Sequence, residues 1–205
     1  MSIDRTRLLQ ALRLKGRVRA AELPAATGID PSRCHALVAE LDAEGHAEPV
    51  GDRWKLTASG RDQLAGALAE ERRKVNQSRI TLLYNSFEAH NIALKSLMTR
   101  WQLRTADTPN DHTDTAYDGA VIADLAKLDK KFQPLLADFV QAAPRLDHYP
   151  PRLTNALSHI QDGDHSWFAR PLADSYHTVW FELHEELIEL AGRTRAEEAA
   201  AGRAQ

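Results

Sequence analysis

Residues 29–45 have the sequence IDPSRCHALVAELDAEG, and this stretch decides how the first third of the chain folds. Asp30 can cap a helix, and Pro31 suits the first helical position because the N–H lost there has no intrahelical partner. Apolar side chains then recur every three or four residues, at Cys34, Leu37, Val38 and Leu41. The spacing predicts a short helix that buries this side and ends at Gly45. Its outer side would carry Ser32, Arg33 and His35.

Short elements are predicted on both sides of this helix. Residues 8–15 and 18–28 have the apolar spacing of two further short helices, and each segment is followed or closed by a glycine, Gly16 and Gly28. After Gly45, residues 46–50 and 54–56 predict two strands around the turn at 51–53. Thr57 can then cap another helix. The expected order is therefore three helices, a small hairpin and a helix.

This order resembles the winged helix-turn-helix regulators of the MarR type. The resemblance runs roughly from Arg7 to Leu64 and is carried by three motifs: Ile29-Asp30-Pro31-Ser32-Arg33, the Glu44-Gly45 exit, and Leu-Thr-x-x-Gly-Arg at 56–61. It implies a DNA-binding domain over residues 1–67. In such domains the third helix enters the major groove and the hairpin, or wing, contacts the minor groove or phosphates.

Carried over by position, the resemblance implies six DNA contacts. They comprise the groove contacts Ser32, Arg33 and His35, the wing contact Arg53, and the phosphate contacts Arg17 and Arg19. Of the groove contacts, Arg33 alone could hold a guanine edge through two hydrogen bonds. The same fold also serves as a protein-interaction module, so a winged-helix adaptor is the alternative.

The charge distribution fits a DNA-binding N-terminal part. Residues 1–80 contain 14 basic and 11 acidic residues, whereas the remainder contains 12 basic and 18 acidic residues. A mildly basic domain followed by an acidic one suits duplex DNA as the partner of the first domain. A solvated surface with incidental asymmetry would give the same counts.

Residues 68–192 predict an all-α domain that begins with a long linker helix. No proline occurs from residue 58 to 103. Seven positions spaced three or four residues apart follow one face: Ile80, Leu83, Phe87, Asn91, Leu94, Met98 and Trp101. Such a face either pairs with a second copy of the chain or lines the domain's own core. A dimer is attractive because one winged helix covers one half-site of palindromic DNA.

The rest of the chain predicts further helices with interruptions. Residues 104–116 are expected to form a polar loop, and Pro134 is expected to kink or break the next helix. The last core helix is expected from about Leu172 to Ala191. Residues 193–205 have little to bury and are expected to form a flexible tail.

Polar residues on the apolar faces indicate a candidate effector pocket in this domain. His90 and Asn91 interrupt the first face, and Asp174, His177 and His184 are spaced to share one side of the last helix. Such residues imply either structural hydrogen bonds or ligand contacts, because buried polar groups need partners. The candidate ligand-binding residues are Tyr84, His90, Asn91, Trp101, His177, Trp180 and His184. His177 and His184 are two turns apart, about 10 Å, so we expect neither a metal site nor a cofactor.

Several function classes find no support in the sequence. It contains no apolar run of membrane-spanning length, no signal-peptide pattern, no phosphate-binding glycine loop and no nucleophile elbow. A single cysteine, Cys34, excludes an intrachain disulfide and is expected to be buried rather than redox-active. We therefore expect a cytoplasmic, non-enzymatic transcriptional regulator that binds double-stranded DNA as a homodimer and responds to a small-molecule effector.

Overall fold

The computed structural model describes residues 1–171 and 173–200 and contains two compact units. The first comprises Met1–Val75 together with Arg145–His148, and the second comprises Asn76–Pro144 and the chain from Tyr149 onward. The predicted mainly α fold with a small sheet is confirmed. The first unit ends eight residues later than the predicted domain and gains a short segment from far along the chain.

The first unit contains four helices and a three-stranded antiparallel sheet. Its elements, in chain order, are α1 (Ile3–Lys15), β1 (Val18–Arg19), α2 (Leu23–Thr27), α3 (Pro31–Ala43), β2 (Ala47–Val50), β3 (Arg53–Leu56) and α4 (Ala58–Lys74). The strands lie in the order β1-β3-β2, with Val18 opposite Trp54 and Ala47 opposite Leu56. The two-residue strand β1, which the sequence did not predict, completes the sheet.

An apolar cluster holds the first unit together. Leu8, Leu9 and Leu12 from α1 pack with the inner face of α3, formed by Cys34, Leu37, Val38 and Leu41. The start of α4 approaches the sheet so closely that a Cβ on Gly60 would lie 2.0 Å from the backbone oxygen of His46. Glycine is therefore required where α4 leaves the hairpin.

The prediction of one long linker helix is wrong, because two separate helices occupy this part of the chain. Helix α4 ends at Lys74, Val75 adopts an extended backbone, and the side chain of Asn76 accepts a hydrogen bond from Arg79 N to cap α5 (Gln77–Gln102). Asparagine is among the best N-cap residues, so Asn76 starts a new helix instead of continuing the old one.

The second unit is helical with one small hairpin. After α5 come β4 (Leu103–Thr105), β5 (Thr108–Pro109), α6 (Thr115–Ala142), α7 (Tyr149–Gln161), α8 (Tyr176–Leu190) and α9 (Arg195–Ala200). The predicted polar loop at 104–116 thus contains an antiparallel strand pair. Of the predicted kink or break at Pro134, the break is wrong, because α6 continues through this residue. The φ of proline is compatible with a helix, although its missing N–H removes one intrahelical hydrogen bond.

The predicted apolar face of α5 packs inside the second unit. Its buried side chains are Ile80, Tyr84, Phe87, Asn91, Leu94, Leu97, Met98 and Trp101. Leu83 was predicted to be buried but is half-buried, and its neighbour Tyr84 is buried instead. Helix α8 begins at Tyr176, so Asp174 precedes it, and Leu172 lies outside the described residues. Within the expected flexible tail at 193–205, Arg195–Ala200 form α9, and residues 201–205 lie outside the described part.

Candidate functional site

The N-terminal half of α3 presents the side chains predicted to enter a DNA groove. Asp30 caps the helix, with its Oδ1 accepting hydrogen bonds from Ser32 N at 2.9 Å and Arg33 N at 3.1 Å. Hydrogen bonds from the Ser32 side chain and the Arg33 backbone lower the pKa of Asp30. Ser32, Arg33 and His35 are all exposed. The cap therefore fixes the start of a helix whose three predicted contact residues point outward.

Arg33 is exposed but has an acidic neighbour on the same helix. Its Nη1 donates to Glu40 Oε1 at 3.2 Å, and both side chains keep 46% of their surface accessible. Exposed pairs of this kind contribute about 0–1 kcal/mol. Arg33 can therefore exchange Glu40 for a phosphate or a base edge at small cost.

The other three predicted contacts meet at one end of the sheet, beside the turn between β2 and β3. Arg19 on β1 lies opposite Arg53 on β3, and Arg53 Nη1 donates to the backbone oxygen of Arg17 at 3.3 Å. Arg19 Nε also donates to Asp52 Oδ2 at 2.9 Å, in the turn between β2 and β3. This hydrogen bond lowers the pKa of Asp52 and, with Glu22, raises that of Arg19.

Acidic residues therefore accompany the basic ones, and the sequence did not predict this. Glu40 pairs with Arg33, while Asp52 and Glu22 both pair with Arg19. The seven-residue spacing of Arg33 and Glu40 exceeds the three or four residues typical of helical ion pairs, so it did not indicate the first pair. The pairing of Arg19 with Asp52 depends on β1, which is too short to recognise from sequence.

In the second unit, the core contains hydrogen-bonded polar side chains among aromatic rings. Tyr84 Oη lies 3.1 Å from His184 Nε2, and Trp180 Nε1 donates to Asn91 Oδ1 at 3.1 Å. All four side chains are at most 2% exposed. The structure thus brings together Tyr84, Asn91, Trp180 and His184 from the predicted ligand-binding set, and each of these polar groups has a protein partner.

Aromatic packing surrounds these hydrogen bonds. The Trp180 ring stacks on Phe87 at 5.4 Å between centroids and lies 4.4 Å from Phe132. His184 is 5.1 Å from Phe87 on the same basis. Helices α5, α6 and α8 all supply rings to this layer, which positions the polar groups rigidly.

The remaining predicted ligand residues lie elsewhere. His90 is half-buried, and its Nδ1 is 3.1 Å from the backbone oxygen of Ser86. Trp101 stacks on Phe168 at 4.2 Å, about 25 Å along α5 from Tyr84. His177 is half-buried near the start of α8, and burial lowers its pKa. The seven residues therefore do not form a single pocket.

A buried ionic cluster joins α7, α8 and the segment before α8. Arg152 Nε and Nη2 donate to the two carboxylate oxygens of Asp174 at 3.1 and 3.0 Å, and Nη2 also donates to Glu182 Oε2 at 2.6 Å. Burial opposes the charged guanidinium, but Glu182 and Asp174 outweigh it and raise the pKa of Arg152. Arg152 Nη1 is buried and has no hydrogen-bond partner among the described residues.

A second buried carboxylate lies on α6. Asp129 Oδ1 accepts hydrogen bonds from Tyr176 Oη and Gln133 Nε2, both at 3.0 Å. Burial and the Asp129 carboxylate raise the pKa of Tyr176 well above its ordinary value. Neither Asp129 nor Arg152 was predicted. Asp129 lies between Leu125 and Phe132 on the inner face of α6, so its position in the apolar repeat was an available signal.

Other candidate chemistries find little in the described part of the chain. Within residues 1–171 and 173–200, no group of three or more His, Cys, Asp or Glu side chains could hold a metal ion. In the same residues, none of the helices has the length and apolarity to cross a membrane. Cys34 is buried, which raises the pKa of its thiol. No family model, curated protein or solved structure matches the chain.

Proposed function

We propose that the protein is a sequence-specific DNA-binding transcriptional regulator, dimeric, with the first unit binding the operator. The observation that carries this proposal is the exposed N-terminal half of α3, next in sequence to a two-stranded hairpin. In a winged helix-turn-helix reading, α3 is the recognition helix and the turn between β2 and β3 is the wing.

The element order of the first unit supports this reading. A helix, a short strand, two helices and a hairpin follow one another, and β1 pairs with β3 in a small antiparallel sheet. Arg33 lies on the outer side of α3, and Arg17, Arg19 and Arg53 lie at the end of the sheet near the turn. Together they supply one base-reading group and three groups suited to phosphates.

DNA binding by an Arg33→Ala variant tests the proposal. The operator is first selected from a random duplex pool with the full chain, and affinities are then measured across a range of salt concentrations. We expect Arg33→Ala to weaken binding by about 1–3 kcal/mol and to relax base preference at one position. Lys130→Ala, which removes an exposed charge from α6, is the matched control and should bind like the wild type. A full chain that selects no sequence overturns the proposal.

The ion pairs of the first unit favour a second candidate, an adaptor whose first unit binds another protein. Arg33 and Arg19 are both neutralised by acidic neighbours. Mixed charges of this kind suit a protein surface better than a phosphate backbone. Weak DNA binding without sequence preference would support the adaptor.

We further propose that the second unit holds the small-molecule effector, near Arg152. Buried polar atoms in proteins almost always have partners, so Arg152 Nη1 suits an acceptor oxygen from a ligand or a bound water. The test is to screen small carboxylates for thermal stabilisation of the full chain, and then to repeat the operator measurements with each one that binds. A carboxylate that binds but leaves operator affinity unchanged is not an effector.

A further inference from the structure

Helix α5 has an exposed face that contains no charged residue. All 26 residues of α5 are described, and the twelve exposed ones are Gln77, Ser78, Thr81, Leu82, Asn85, Ser86, Ala89, Ile92, Ala93, Ser96, Thr99 and Gln102. Helix α6 is of similar length, yet its exposed side carries Lys127, Lys130, Lys131 and Asp138. In a chain with 27% charged residues, such a face on α5 is unusual.

Two large apolar side chains stand on this face. Leu82 is 69% exposed and Ile92 is 61% exposed, and they are the most exposed large apolar side chains in the described part of the chain. The positions 78, 82, 85, 89, 92 and 96 are separated alternately by four and three residues. Such spacing keeps them in one line along a helix and is typical of faces that pack against a second helix.

Three of the five exposed hydroxyl groups of α5 donate to backbone oxygens of the same helix. Thr81 donates to the backbone oxygen of Gln77 at 2.9 Å, and Ser86 donates to that of Leu82 at 3.1 Å. Thr99 makes the same bond to Lys95 O at 3.1 Å. Covering this side would therefore leave these donors paired, which removes a main cost of burying polar residues.

Three arginines that flank this face are paired within the second unit. Arg193 binds Glu88 at 2.9 Å and also donates to Asn85 Oδ1 on the face at 3.0 Å. Arg79 binds Asp138 at 3.3 Å and Arg100 binds Asp124 at 2.9 Å, with 41% and 39% of the two arginine side chains accessible. Protein interfaces commonly have such a polar rim around an uncharged centre.

The order of side chains along the face is symmetric about residue 87. Reading outward, Asn85 corresponds to Ala89, Leu82 to Ile92, and Ser78 to Ser96. Two copies related by a two-fold axis place each residue opposite its counterpart when their helices run antiparallel. Each Leu82 then meets an Ile92, and small side chains meet small ones. An uncharged face also avoids the like-charge repulsion that self-pairing would create.

We infer that this face of α5 is the interface with a second copy of the chain, and that the two α5 helices pair antiparallel. The inference rests on the proposed function only in that both require a dimer. It assigns the interface to the side of α5 opposite the buried apolar face. Leu82 and Ile92 are the central contacts, each facing the other residue across the axis.

Sedimentation of the full chain without DNA tests the inference separately from operator binding. We expect the wild type at micromolar concentration to have twice the mass of the chain. Leu82→Glu and Ile92→Lys should each weaken self-association at least about tenfold, because each buries an unpaired charge. Both positions are exposed, so circular dichroism should show unchanged helix content. Ile3→Glu, at an exposed apolar position on α1, is the control and should remain dimeric.

The double variant Leu82→Glu/Ile92→Lys determines the direction of pairing. In the antiparallel arrangement the new carboxylate of one copy meets the new ammonium of the other, so dimerisation should return. In a parallel arrangement like charges meet, and the double variant should be the weakest of all. A monomeric wild type, or a dimer insensitive to Leu82→Glu, overturns the inference. Sequence-selective DNA binding by a monomer would leave the proposed DNA binding standing and remove only the dimer from the proposed function.

Discussion

The two units differ in where their charged candidate residues lie. In the first unit the ion pairs of the predicted contact residues Arg19 and Arg33 lie on the surface, although Arg145, paired with Glu71, is buried in the same unit. In the second unit Arg152, Glu182 and Asp129 are buried among helices and hydrogen-bonded there. Surface ion pairs contribute little to stability and can exchange partners, whereas buried ones are costly to disrupt. The first unit is thus suited to contacting a charged partner, and the second to holding one internal arrangement.

The largest expected effect comes from removing the charge on Arg152. Arg152→Met leaves the Glu182 carboxylate buried without its guanidinium partner, so the free energy of unfolding should fall by about 3–5 kcal/mol. Arg33→Met, which breaks an exposed pair, should cost less than about 1 kcal/mol. Chemical denaturation followed by tryptophan fluorescence measures both. Equal losses would show that the two units do not differ in the way described.

A second variant shows that the loss comes from the buried charge. Adding Glu182→Leu to Arg152→Met removes the buried carboxylate that has lost its guanidinium partner, so part of the lost stability should return. Replacement of buried ion pairs by apolar residues is often neutral or stabilising. If the double variant is less stable than Arg152→Met, the loss in the single variant arises from packing instead.

The next effect concerns the close approach of α4 and the hairpin in the first unit. Gly60→Ala places a methyl group against the backbone oxygen of His46, so the first unit should lose about 1–3 kcal/mol. Gly66→Ala, on the same helix, meets nothing within 4 Å and should gain about 0.5–1 kcal/mol. Thermal unfolding with Trp54 as the reporter of the first unit measures both. Equal effects from the two substitutions would contradict the tight contact at Gly60.

The sequence predicted the first unit better than the second for a physical reason. Caps, turns and short apolar repeats are local signals. Asp30 indicated the start of α3, Gly28 the end of α2, and Thr57 the start of α4. The second unit is determined by contacts between distant residues, such as Arg152 with Glu182 and Tyr176 with Asp129. The position of Asp129 in an apolar repeat is a local signal for a buried polar residue, but no local signal identifies the partner within either pair. The apolar repeat along α5 was recognised, but its packing within the unit could not be distinguished from dimerisation.

The candidate site residues show the same division. Exposure of Ser32, Arg33 and His35 follows directly from the helical spacing of Cys34, Leu37 and Leu41, so it could be predicted. The acidic partners Glu40 and Asp52 could not be assigned. The contact of Glu40 with Arg33 depends on the rotamers of the two side chains, and that of Asp52 with Arg19 depends on the strand β1. In the second unit, Asn91 and His184 were recognised as polar residues on apolar faces, but their partners were not.

A pH dependence should distinguish the two units through His177. Burial lowers the pKa of folded His177 below the ordinary 6.5. The unfolded chain therefore binds the proton more readily, and stability is full above pH 6.5 and falls as the pH drops toward the folded-state pKa.

In a Trp54→Phe background, which leaves only tryptophans of the second unit, His177→Gln should flatten this decline. His165→Gln replaces an exposed histidine and should leave the slope unchanged; equal slopes in all three proteins would contradict the role of His177.

The smallest effect concerns the surface pair of the first unit and operator affinity. Glu40→Gln releases Arg33 from its neighbour and removes a negative charge from the exposed side of α3. If Arg33 binds DNA, affinity should rise by up to about fivefold, since an exposed pair holds at most about 1 kcal/mol. Glu70→Gln removes the same charge from an exposed pair with Lys74 on α4 and is the matched control. A gain confined to Glu40→Gln places Arg33 at the DNA, whereas equal gains indicate net charge alone. A loss with Glu40→Gln would mean that the carboxylate itself contacts the partner, as expected for an adaptor.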